Sequence, residues 1–324
     1  NGHQFALRRM RARYTAAAYI TEKMNGIMFI HSLTELLDQA ENNWPSLLTR
    51  LQNLRGTILS PRTCRDGMFL DLTGDVKVLS TVQPSVKKML HDLPGDANGE
   101  KLPNFYVEEH PWVTQANKER GENVPLVDEG FIVPTQVSYV GKGGLLYDDG
   151  EHIHGSTSVV SKFLRTGYLW DQVRVMGGAY GASCALSKGS GFFGFVSYRD
   201  PNLAKTIDVY DKTADALMAA ADELEKDEEA LHAAIIGTIG AIDGALSPDQ
   251  KGWTQLIRWI TNNGSAEGRQ QMRDELIGTK PDDFREFARR LKKMTNPTVA
   301  VISSKAGFEA AAKDGKHMNL TVVV

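Results

Sequence analysis

Cysteine is nearly missing from this chain: two residues, Cys64 and Cys184, in 324. Far apart in sequence, they suggest no disulfide framework and cannot hold a metal ion by themselves. A reducing intracellular or organellar compartment fits that usage. Long apolar runs are missing as well. No stretch approaches the roughly 18 residues that cross a bilayer, so no membrane insertion is expected. Neither sign of charge dominates, since the net charge is −3. With no basic stripe, that balance argues against a dedicated nucleic-acid binder. The basic run Arg8-Arg9-Met10-Arg11-Ala12-Arg13 reads as the solvated face of a helix. The chain starts at Asn1 with neither a methionine nor a signal peptide, which fits either a removed targeting segment or a piece of a longer polypeptide.

Several catalytic signatures are missing too. None of the eight histidines opens an H-E-x-x-H or an inverted H-x-x-E-H motif. His31-Ser32-Leu33-Thr34-Glu35 misses the latter by one position, so no complete zinc ligand set is legible. No G-x-x-x-x-G-K-[ST] exists, and Gly177–Gly181 lacks the spacing of a dinucleotide loop. Glu151-His152-Ile153-His154, after Asp148-Asp149, is the only metal-like cluster. On a strand, His152 and His154 would share a face; the other reading is an exposed polar loop. Ser183 and Cys184 lie beside a glycine turn but have no activating histidine nearby. Cys184 therefore reads as a small core residue of a strand.

What is present is ordinary for a globular protein: 41% hydrophobic and 24% charged residues. Periodicity predicts helices over 5–23, 27–40, 44–54 and 84–93, with one short strand at Met68–Leu72. That is too little sheet for an independent α/β layer. Residues 1–95 read as the C-terminal part of a penultimate, mainly helical α+β domain. Residues 96–128, rich in Pro, Gly, Asn and Glu without apolar period, read as an extended linker. Residues 129–324 read as a complete last domain. Its strands are predicted at 132–140, 184–186, 192–198, 298–302 and 319–324. Its helices are predicted at 156–170, 201–224, 228–245, 251–260, 266–277 and 281–294. Strands early, helices in the middle and strands late indicate an α+β fold, with a mostly antiparallel sheet and helices packed on one face.

One stretch, residues 172–202, organises the rest. Gln172–Met176 closes a helix and runs into a turn bracketed by Gly177, Gly178 and Gly181. A tight connection, Ser187–Gly191, then joins two strands. Asp200 is placed to N-cap the next helix, with Pro201 at its first position. Arg174 and Tyr180 thus flank a glycine turn at one edge of a sheet. Taken alone, these residues fit either a plain hairpin with a solvated arginine or a pair of aimed donors.

RVMGGAYG followed by FVSYRDPNLAKTIDVYD resembles the C-terminal half of the pitrilysin-type zinc metalloproteases, specifically the presequence protease and falcilysin branch. The resemblance spans nearly the whole chain, through GHQFALRRM, LDLTGD, PTQVSYVGKGG, TGYLWDQVRV and AIIGTIGAIDGALSPDQKGW, in that order. It implies a soluble organellar enzyme, of mitochondrion or plastid, that degrades targeting presequences and other short unstructured peptides. Zinc and the catalytic base would belong to the N-terminal half, which these residues do not include. The fragment itself would bind no metal and cleave nothing alone. Arg174 and Tyr180 would reach across to hold the substrate backbone and the oxygen that becomes negative during attack. The partners implied are peptide substrates and the N-terminal half of the same enzyme, with neither nucleic acid nor membrane. The alternative from another class is a non-catalytic structural or assembly module of the same superfamily.

Overall fold

The computed structural model describes residues 2–60, 68, 70–94, 110–121, 126–260 and 265–323. Cys64 and most of the expected linker lie outside these residues. Contacts divide the chain into two compact units. One comprises Asn1–Ile30, Pro111–Asp243 and Gly268–Val324, and the other His31–His110 and Gly244–Glu267. The stretch 1–95 is therefore divided after Ile30.

The first unit is built on a six-stranded mixed sheet. Its strands are β1 (Glu129–Ile132), β2 (Tyr139–Leu145), β3 (Gly181–Leu186), β4 (Phe192–Tyr198), β5 (Thr295–Ser303) and β6 (Asn319–Val322). The order is β3-β4-β2-β5-β1-β6. The β3-β4, β4-β2 and β2-β5 pairs are antiparallel, whereas β1 runs parallel to both β5 and β6. The α+β class holds. The helices after the first strands contribute buried residues to one core on one side of this sheet. These are α7 (Ser156–Thr166), α8 (Leu203–Asp211), α9 (Thr213–Leu224), α10 (Glu228–Ile242), α12 (Ala266–Ile277), α13 (Pro281–Lys292) and α14 (Lys305–Lys313).

Strand periodicity of two explains how the sheet is covered twice. Phe193 and Phe195 point into the main core, where Phe193 meets Phe287 edge to face and Phe195 stacks on Tyr210. Phe192 and Val196 point the other way, onto Met10 of α1 (Gly2–Ala12). The first helix of the chain thus covers the second face. Gly141 permits that approach, because a Cβ there would lie 2.7 Å from Met10 Cε and 3.1 Å from the Ala300 carbonyl oxygen.

Several elements differ from the sequence expectation, each for a local reason. The helix expected over 5–23 is two, α1 and α2 (Ala16–Asn25), because Thr15 turns out as an N-cap whose hydroxyl accepts the Ala18 N–H. Buried Glu22 closes α2 by accepting the N–H groups of Ile27 and Met28. Within the expected linker, Pro111 opens helix α6 (Pro111–Arg120), which docks on α2 through Tyr19 and Lys23 to Glu119. Asp200 is not an N-cap. Its backbone bridges Ser138, and its buried carboxylate accepts from the Asn202 N–H and the Thr206 hydroxyl. The helix starts at Leu203, and the predicted 201–224 helix breaks at Lys212.

The second unit is helical: most of α3 (Phe29–Asn42), then α4 (Trp44–Ile58), α5 (Val76–Asp92) and α11 (Pro248–Ile260). Pro84 lies inside α5, which starts eight residues earlier with Asp75 as a side-chain N-cap. Met68 and residues 70–72 form no strand. None of α3, α5 and α11 buries a residue, and α4 buries Leu47 alone.

Candidate functional site at the end of a π-helix

Residues Trp170–Met176 form a π-helix, with one residue more per turn than the α-helix expected to end here. Val173 is buried and anchors the segment, while Trp170, Val175 and Met176 are exposed. The turn that follows is tightly bonded. Gly178 N–H donates to the Arg174 carbonyl at 2.9 Å, and Ala179 N–H to the Val173 carbonyl at 3.1 Å. Gly178 has φ +77°, a conformation that a side chain strains. Asn202 Nδ2 donates to the Gly177 carbonyl, and Tyr180 N–H reaches the Arg199 carbonyl at 3.3 Å. The turn is therefore tied to the end of β4 on one side and the start of α8 on the other.

This scaffold brings Arg174 and Tyr180 together. The Arg174 guanidinium carbon lies 5.9 Å from the Tyr180 ring centroid and 3.9 Å from that of Trp170. Tyr180 is 64% exposed and sits at the start of edge strand β3. Among the described residues, the Arg174 guanidinium has no carboxylate partner and the Tyr180 hydroxyl no hydrogen bond. The rings hold them in place instead, because a cation over an aromatic face keeps its N–H donors free at the edge. Two donors without internal acceptors, on one exposed rim, can bind a carbonyl or a developing oxyanion.

Sequence reasoning missed the rest of this cluster. Arg199, with φ +50°, lies 5.9 Å from the Tyr180 ring and 5.4 Å from that of Tyr198. Tyr198 in turn packs edge-on against Tyr180 and His3. The Tyr198-Arg199 pair stands directly before Asp200 in the sequence, and its chemistry matched that of Tyr180 and Arg174. Only the β3-β4 pairing, which sets Gly181 opposite Tyr198, makes the two pairs neighbours.

The other candidates separate from this site. His152 Nε2 is 2.8 Å from Glu275 Oε1, and His154 Nδ1 is 2.8 Å from the Ser156 hydroxyl. They occupy a loop rather than a strand. Among the described residues, no group of three or more His, Cys, Asp or Glu side chains is arranged to hold a metal ion. The described residues do not fit zinc. Cys184 is buried, its thiol donates to the Ser161 carbonyl at 3.4 Å, and burial pushes its pKa up to about 12. A thiol so held is no nucleophile at neutral pH.

Fold and site together define an α+β domain with two donors, free among the described residues, at a sheet rim. A family model described as the PreP C-terminal domain matches residues 128–305, more than half of the chain, and the chain belongs to that family. Presequence protease 1, chloroplastic/mitochondrial, of Arabidopsis thaliana is 36% identical over 312 residues, covering 96% of this chain and 27% of that protein. The mitochondrial presequence protease of Saccharomyces cerevisiae is 28% identical over 278 residues, covering 84% and 26%. The crystal structure of pitrilysin aligns at 11% identity and a TM-score of 0.44, over 89% of this chain and 33% of that one. The chain spans about a quarter of the length of the presequence proteases it matches. No described helix is long and apolar enough to cross a membrane.

Proposed function

We propose that this chain is the substrate-holding C-terminal portion of a zinc metalloendopeptidase that degrades targeting presequences and other short unstructured peptides in an organellar matrix. Zinc and the catalytic base are assigned to an N-terminal half outside these residues, which is also the domain's partner. Arg174 and Tyr180 take the catalytic role within this chain. The phenol O–H and the guanidinium donate to the scissile carbonyl oxygen as it gains negative charge, and hold the adjacent peptide backbone. Supporting this is one observation: the two side chains meet on an exposed rim, with their donors unpaired among the described residues. Arg199 and Trp170 orient them.

The test is Tyr180→Phe in the full-length enzyme, which keeps the ring and its packing and removes the hydrogen bond. Loss of one such donor lowers kcat about 10²–10³-fold. Zinc content and folding should stay as in the unaltered enzyme. Arg174→Lys keeps the charge and loses the planar fork, so turnover should fall there too. Full turnover in both variants, with the protein intact, would favour the non-catalytic assembly module instead.

A further inference from the structure

A second place in the first unit gathers donors that have no anionic partner among the described residues, independent of the peptidase reading. A cavity of about 350 Å³ opens between α7, β3 and the C-terminal part of α10. Its α7 wall is a helical stripe, Thr157, Ser161 and Arg165 at i, i+4 and i+8, with Lys162 beside it. Lys188, from the β3-β4 connection, closes another side. Among the described residues, no aspartate or glutamate lines the cavity.

The donors here lack adequate partners. Thr157 Oγ1 and Ser161 Oγ are buried and make no hydrogen bond, in residues only 4% and 8% exposed. A buried hydroxyl left unpaired is destabilising, and here two stand on one helix face. Lys162 Nζ meets one acceptor, the Gly237 carbonyl. Arg165 uses only Nε, on the Ser161 carbonyl at 3.2 Å. The Lys188 ammonium is bonded to the Met272 thioether, a weak acceptor. Desolvation of that ammonium lowers its pKa, with the Glu275 charge opposing. Glu275 itself is taken up by Gly155 N–H, His152 and Gln271. None of the three cations forms an ion pair among the described residues.

We infer that this cavity is a binding site for an oxyanion, a carboxylate or phosphate group, held by Lys162, Arg165 and Lys188 and by the hydroxyls of Thr157 and Ser161. An oxyanion supplies what every one of these groups lacks, and charge-assisted bonds of this kind are the strong ones.

Inorganic phosphate, titrated against the protein and followed by calorimetry and by thermal unfolding, tests this. Saturable binding is expected, weakened at least about tenfold in the Arg165→Gln/Lys188→Gln double variant. Thr157→Val separates a site from a packing flaw. It should raise stability without phosphate, by removing an orphan hydroxyl, and weaken phosphate binding. A short peptide with a free C-terminal carboxylate and its C-terminal amide then identify the source. Competition by the acid alone assigns the seat to a chain terminus, and competition by neither assigns it to a free oxyanion. Absence of saturable phosphate binding, or binding unchanged in the double variant, overturns the inference.

Discussion

Helices α13 and α3 carry the same kind of message in sequence and meet opposite fates. α13 places Phe284, Phe287 and Ala288 on one face and buries all three. α3 places Ile30, Leu33, Leu36 and Leu37 at comparable spacing and leaves them exposed. The same contrast separates the two units. Phe193, Phe195, Phe284 and Phe287 interlock on the sheet, whereas α5 and α11 keep Val78, Val82, Met89, Trp253 and Ile257 exposed. Amphipathic periodicity therefore specifies that a face is to be covered and is silent on what covers it. A helix acquires a core only where a second layer stands opposite, and here the sheet supplies it.

Truncation of one side chain in each unit separates the buried face from the exposed one. Phe287→Ala should cost about 3–5 kcal/mol in urea unfolding, as expected for a buried aromatic. Leu36→Ala, on the exposed face of α3, should stay within about 0.5 kcal/mol. Equal costs would show that the second unit has a core of its own. A smaller effect sharpens the place of α1. Gly141→Ala pushes a Cβ against Met10 Cε and the Ala300 carbonyl, and should cost about 1–3 kcal/mol. No cost there would mean that α1 shifts freely and is not part of the core unit.

The smallest effect concerns pH. Burial raises the Glu22 pKa above 4.5, opposed by the Met28 N–H, the Arg9 charge and the Ile27 N–H. Well below the unfolded value the carboxyl is protonated in both states and its burial carries no charge penalty. As pH rises through the folded value, ionisation costs more in the folded state, so this contribution reduces stability there and above. Glu22→Gln retains an oxygen for the two N–H groups and should flatten that decline. Urea midpoints of both proteins across this window check it; parallel profiles would remove Glu22 as the cause.

The α+β class and the β3-β4 hairpin were legible because they rest on period-two runs and turn residues. Boundaries failed where a residue type has two uses. Pro84 reads as a helix start yet sits inside α5, while Asp75 carries the N-cap. Asp200 reads as a cap but is held by the bridge to Ser138. The break at Lys212 has neither glycine nor proline to mark it. Helix α14 was missed although Ser304 signals it, its hydroxyl accepting the Gly307 N–H. At the site, Arg174 and Tyr180 stood out beside the glycine turn. Trp170, Tyr198 and Arg199 did not, since stacking between separate elements exists only after the strands pair.

The π-helix at 170–176 carries a consequence for insertion and deletion. A π turn is an α turn with one added residue, so removing exposed Asp171 would restore ordinary winding. Each residue in an α-helix is turned about 100° from the last. Such a deletion would turn Val173 and Arg174 together by about 100° relative to Trp170, so it would disturb the buried anchor and the stacked arginine alike. Aim and anchoring are therefore coupled at this point of the chain: a change of one in length moves both, whereas a change of side chain at 174 moves only the aim.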